Sequence, residues 1–349
     1  MDTIHSKYII VGAGLSGLTT AYHLAKNGEE DFIILEARDR IGGRILTKDD
    51  IDLGATWFQN HHTYLTQLLE NLSLDKFEQY SKGQSVLVYN TMAPAHYFES
   101  QHNGPSAYRV AGGSIALINT LAEALPKKIV LNTSITSISE DKYQIHLKTN
   151  KTTYSAEKVI VTIPPKLAST LDFSPEIPEN LFQTMKSTHT WMSNAMKVGI
   201  LFKSPFWRKK DFSGTIIGQV GPVIELYDHC DYEEKVFGLM GFINEGLRDT
   251  SPEIRKEKIL RYLEKYLGKE VMDYTDYFEK DWSMDKHTSC ENLKSVYMSP
   301  QYGDSLYDQW YFNDKLLFSG TETSPIHGGY LDGAIFSAMR AAKKILNGY

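Results

Sequence analysis

Gly12, Gly14 and Gly17 lie between an apolar run and a helix-patterned run, and Glu36 closes the next apolar run. That set suits one task, holding a pyrophosphate. A glycine at 12 permits a tight turn, and one at 14 lets the pyrophosphate approach the backbone. One at 17 lets helix and strand pack closely. The helix start offers unpaired N–H groups and a positive dipole end to the phosphates. Glu36 is placed to bind ribose hydroxyls rather than a 2′-phosphate. The chemistry indicated is dinucleotide binding.

A βαβ unit must position these residues. Residues 8–11 read as a fully buried strand, and Leu15, Leu18, Tyr22 and Ala25 recur at helical spacing. Asn27-Gly28 stops the helix, and Phe32–Leu35 reads as a second buried strand. The stretch "ARDRIGGR" then adds Gly42, Gly43 and further arginines that a minimal NAD unit does not require.

The run "LEARDRIGGRI…DLGATWF" resembles the flavin-containing amine oxidases, the group of monoamine and polyamine oxidases. Phytoene desaturases and protoporphyrinogen oxidases share this amino-terminal half. The resemblance implies FAD as cofactor. It gives Ser16, Arg38, Gly43 and Gly54 cofactor contacts, brings Arg44 near the pyrophosphate, and sets Ala55, Thr56 and Trp57 at the flavin border. Ile135 matches a position on the adenine side and equally suits a plain core residue.

The carboxy-terminal "SGTET…GGYLDGA" matches the amine oxidase version of the flavin closure more than the desaturase version. By resemblance, Gly320, Thr321 and Glu322 hold the phosphate and ribityl part. The backbone of Leu331 meets the flavin pyrimidine at a helix start, where N–H groups favour negative charge. Trp282 falls among the cofactor contacts. Residues 316–319 read as a short buried strand, and Ile335, Ala338, Met339, Ala342 and Ile345 as the inner face of the last helix.

The fold implied is α/β: a Rossmann-type FAD-binding domain with a β-meander, formed by 1–82, 104–163 and 285–349. A smaller mixed-sheet substrate domain takes 83–103 and 164–284. Related enzymes carry a long helical insertion after the first flavin segment, but this chain has only about 50 residues there, between Trp57 and Arg109. The substrate lobe is therefore shortened and open, and a homodimer could cover it. A helix is predicted to begin at Ser251-Pro252, and another at a Ser114 cap.

The resemblance also implies the reaction: hydride transfer from a carbon next to nitrogen to flavin N5, giving an imine and reduced FAD. The amine must be neutral. A pKa of about 10.4 is roughly 3 units too high, a cost of about 4 kcal/mol at neutral pH. Two aromatic rings facing the flavin favour the neutral form by desolvation. Tyr330 falls on one ring position. Counting from Trp282 puts the other on Asn292, or on Glu291 with a gap, neither of them aromatic; Tyr297 or His287 could supply the wall instead. Monoamine oxidases tether FAD through a cysteine in this region. Cys290 is one residue short of that spacing, so non-covalent FAD is favoured.

The family also places a lysine near flavin N5, five residues after a second proline. Counting from Pro165, that position is Thr170. Lys166 reads as a solvated lysine after the turn, and oxygen reactivity is expected to be weak, with O2 or another acceptor taking the electrons. Alternatives remain open: carbon–carbon dehydrogenation, or a flavoprotein with a non-catalytic binding role.

The chain has 349 residues, 42% apolar and 23% charged, with a net charge of −6. This suits a globular enzyme with a small-molecule substrate and excludes a general nucleic-acid binder. The basic "FWRKKDF" reads as a solvated turn. Two cysteines suit a reducing, cytoplasmic setting. No apolar run is long enough to span a bilayer, no signal segment precedes the first strand, and neither a metal-ligand set nor a Ser/His/Asp set stands out.

Overall fold

The computed structural model describes residues 3–90, 92–99, 107–125, 128–289 and 301–347. An eight-stranded sheet runs in the order Ile129–Val130, Phe32–Leu35, Ile4–Val11, Thr153–Val161, Ile145–Thr149, Ile135–Glu140, Asp172–Ser174, with Leu316–Phe318 also paired to Thr153–Val161. Its central strands are parallel and buried on both faces, which accounts for their unbroken apolar runs. Ile9, Ile10, Val159 and Ile160 are fully buried. Helix Leu15–Lys26 follows the first strand, with Gly14 as N-cap and Asn27 as C-cap. It packs against the last helix, Leu331–Asn347, through Leu18, Ile335 and Ala341 in one core.

A seven-stranded sheet carries the second core, in the order Asp276–Asp281, Met196–Phe202, Phe237–Ile243, Val223–Asp228, Phe212–Gly218, Gln84–Val88, His96–Glu99. Helix Pro252–Leu267 covers it. Ser251 Oγ accepts from Ile254 N at its start, and Ile259, Leu263 and Leu267 point inward.

Two sequence expectations change. Asp172–Ser174 pairs in parallel with Ile135–Glu140, so the chain stays with the first sheet beyond the boundary at 163/164. Helix Glu179–Ser187 also packs Leu181 and Met185 beneath that sheet. Ser114 is the first residue of helix Ser114–Glu123 rather than its cap. The buried Asp52 carboxylate caps this helix from another segment, accepting from Ser114 N at 3.0 Å and from Thr47 Oγ1 at 2.6 Å. A cap brought by tertiary packing leaves no trace in the local sequence.

Candidate active site

A single long cavity runs from the first glycine turn to the face of the second sheet. At its phosphate end, Gly12 has φ +107°, and a Cβ on Gly17 would lie 1.9 Å from the Gly12 carbonyl oxygen. Only glycine at 17 lets the helix close on the strand. A Cβ on Gly14 would meet nothing nearer than 3.9 Å, which leaves room there for a phosphate. Ser16 lines this end, its Oγ 2.9 Å from Ser319 Oγ.

Glu36 is buried, and its carboxylate accepts from the backbone N–H groups of Ala13 at 2.8 Å and Arg38 at 2.9 Å. These bonds lock the turn and aim the carboxylate at the cavity. The Arg38 side chain donates to Asp285 Oδ1 and Thr288 Oγ1, while its Nε is buried without a hydrogen-bond partner. Arg44 lines the wall beside Gly43, held by two bonds to Glu322 at 2.6 and 3.0 Å. The open glycine turn, the presented acid and the orphaned guanidinium nitrogen fit an FAD. They would hold its ribose and pyrophosphate.

At the flavin end, Gly54, Ala55, Thr56 and Trp57 form one wall, with Trp282 beside them donating to the Leu53 carbonyl at 2.8 Å. Gly320, Thr321 and Leu331 form the other, and Thr321 Oγ1 donates to the Tyr330 carbonyl at 2.7 Å. Tyr330 is half open to solvent. Its ring meets Trp191 edge-on with centroids 5.2 Å apart.

Lys197, on strand Met196–Phe202, also lines the cavity and is buried. Its Nζ donates to the Gly54 carbonyl at 2.7 Å and to Thr56 Oγ1 at 3.2 Å. It lies over the rings of Phe242 at 4.9 Å and Trp57 at 5.4 Å. Burial lowers its pKa to about 8, against the opposing pull of Asp52 and Glu225.

Three sequence placements do not reach the cavity. Thr170 is exposed and donates to the Leu167 carbonyl at 2.7 Å. The single turn Pro165–Ala168 carries the chain away from the cavity rim at Pro164, so a position counted from the prolines cannot return. Ile135 sits in the core under the first sheet. Glu322 is fully buried behind Arg44 and acts by fixing that guanidinium. Glu291, Asn292, Tyr297 and the Cys290 link lie outside the described residues. Lys197, Trp191 and Phe242 were missed. The usable signal was a lysine inside the strand "MKVGILF", whose other residues carry no charge or polar side chain.

Beside Tyr330, three histidines from separate places in the sequence converge. The ring centroids of His61, His62 and His327 lie 4.7 to 5.1 Å from one another, and that of His62 is 5.2 Å from that of Tyr330.

Comparison with known proteins agrees with this geometry. A family model described as flavin containing amine oxidoreductase matches residues 15–95 and 84–346, breaking and resuming where the sequence marks the lobe as shortened. A probable flavin-containing monoamine oxidase A of Dictyostelium discoideum is 26% identical over 459 residues, covering 99% of this chain and 98% of that one. Human flavin-containing amine oxidase B is 30% identical over 260 residues, covering 71% of this chain and 49% of the human one. Among solved structures, a putrescine oxidase bound to putrescine superposes with a TM-score of 0.84 at 22% identity, covering 99% of this chain and 100% of that one. These matches favour the amine oxidase reading over carbon–carbon dehydrogenation and over a non-catalytic role. The chain belongs to the flavin-containing amine oxidoreductase family, and FAD is its cofactor.

Proposed function

We propose that this enzyme oxidises small amines at a centre walled by Tyr330 and Trp191, with Lys197 promoting electron transfer to O2. Bound FAD supplies the two-electron acceptor. The protein's share begins with the amine's charge. The Tyr330 and Trp191 rings offer a desolvating wall, which favours the neutral amine. On this reading Trp191 supplies the second ring that the sequence lacks at Asn292.

The observation that carries the proposal is Lys197, buried between Trp57 and Phe242 and bonded to Gly54 and Thr56. Reducing O2 builds negative charge. A pre-positioned ammonium in a dry wall stabilises that charge. With a pKa of about 8, Lys197 is mostly charged at neutral pH. Lys197, not Thr170, then takes the family lysine's place, and oxygen reactivity is strong rather than weak.

The test is reoxidation of amine-reduced enzyme in air. Lys197→Met should slow it by roughly 10²-fold, and Thr170→Ala should leave it unchanged. The wild-type rate should fall as pH rises through about 8, a step absent in Lys197→Met. A fast Lys197→Met or a slow Thr170→Ala overturns the proposal.

We propose that FAD is bound without a covalent link, which acid precipitation checks by leaving the flavin in solution. A homodimer over the shortened lobe and a cytoplasmic location complete the proposal; a fluorescent fusion reads the latter. Among the described residues, no helix is long and apolar enough to cross a membrane.

A further inference from the structure

We propose that His61, His62 and His327 bind one divalent transition-metal ion, Zn2+ being the probe of choice, at the cavity rim beside Tyr330. Each residue offers one ring nitrogen, and the three nitrogens lie within 4.8 Å of one another. A tetrahedral ion with metal–nitrogen distances of about 2.0 to 2.1 Å holds its ligands roughly 3.4 Å apart. Small ring rotations close that gap, most easily at His61, which is exposed. An all-imidazole set suits Zn2+, Cu2+ or Ni2+ and not Mg2+ or Ca2+.

The backbone and the surrounding groups are arranged around His327. Its Nδ1 is 2.6 Å from Asp332 Oδ2, which leaves Nε2 for the ion. A carboxylate behind a ligating imidazole fixes its tautomer and raises its basicity. Asp332 is fully buried, and its Oδ1 accepts from Leu65 N at 2.7 Å. One carboxylate thus joins the start of helix Thr63–Asn71, which follows His61 and His62, to the start of helix Leu331–Asn347, which follows His327. His327 has φ +47°, a conformation a non-glycine residue holds only where its surroundings impose it. Gly333 leaves room for it, since a Cβ there would lie 2.4 Å from the His327 carbonyl oxygen.

His62 is buried, and its Nδ1 accepts from Gln59 N at a long 3.3 Å. Ligation through Nε2 moves the ring proton to Nδ1 and gives up that contact. Gln59 Oε1 is buried without a hydrogen-bond partner, an acceptor of the kind Nδ1–H then needs. With three protein ligands, one position is left open, as in zinc sites that keep a water.

The experiment titrates the FAD-loaded enzyme with ZnCl2 by calorimetry and with Co2+ by visible absorption, after treatment with chelator. The expected result is one ion per chain, with the absorption of a tetrahedral Co2+ site. His61→Ala and His327→Ala should each weaken binding at least about 10-fold, and Asp332→Asn by roughly 10- to 100-fold. Zn2+ should raise the thermal midpoint of wild type and not of His61→Ala. His61 is exposed, so His61→Ala keeps the test valid if the buried variants misfold. No saturable binding, or binding of equal affinity in His61→Ala, overturns the proposal.

Discussion

Lys197 holds its ammonium on a buried strand, and burial lowers its pKa from 10.5 to about 8. Between those values the unfolded chain binds more protons than the folded one, so stability rises with pH across that window. Below about pH 8 the unfavourable term is fully present, worth about 3 kcal/mol at most. Lys197→Met removes it. The stability of Lys197→Met relative to wild type should therefore decline by about 3 kcal/mol between pH 8 and 10.5, read by urea unfolding at both ends. A difference independent of pH would show that the ammonium is not desolvated in the native state. The same residue marks where sequence reading stopped. Glu36 and Gly14 were legible because their geometry is set within one βαβ unit. The family lysine was sought by counting along the chain from Pro165, and that count ends on the exposed Thr170, beyond the turn Pro165–Ala168.

The helix after the first glycine turn is placed by the absence of one atom. Gly17→Ala would set a methyl 1.9 Å from the Gly12 carbonyl oxygen, backbone against side chain, with nothing flexible to yield. The helix must move off the strand, a strain of about 1 to 3 kcal/mol, and the phosphate end loses its shape. The expected outcome is a lower thermal midpoint together with loss of bound flavin, read from the ratio of flavin to protein absorbance. Retained flavin with an unchanged midpoint would refute it. This element was fully readable, down to its stop at Asn27-Gly28. The strand Asp172–Ser174 was not. Only its parallel pairing with Ile135–Glu140 makes it a strand, and that partner is remote in sequence.

For the whole molecule, the two sheets and their division of labour follow from long apolar runs and the flavin motifs. The consequence of the shortened lobe is also visible. Tyr89, Met92 and Tyr97 lie exposed on and beside the strands Gln84–Val88 and His96–Glu99 at the edge of the second sheet. If the proposed homodimer covers this edge, sedimentation should give twice the 39.6 kDa chain mass, and Met92→Lys with Tyr97→Lys should return the monomer. A monomeric wild type at micromolar concentration would refute it.

Three bonds stitch residues 52–54 to the second sheet and its flank: Asp52 N to His229 Nε2 at 3.0 Å, Trp282 Nε1 to the Leu53 carbonyl at 2.8 Å, and Lys197 Nζ to the Gly54 carbonyl at 2.7 Å. All are buried. A seam fastened on consecutive residues has no hinge, so the lobes do not part there to admit an amine. Tyr330, on the wall of the same cavity and half open to solvent, takes no part in that seam. Fastened this way, residues 52–54 hold the flavin-side wall as one piece with the second sheet.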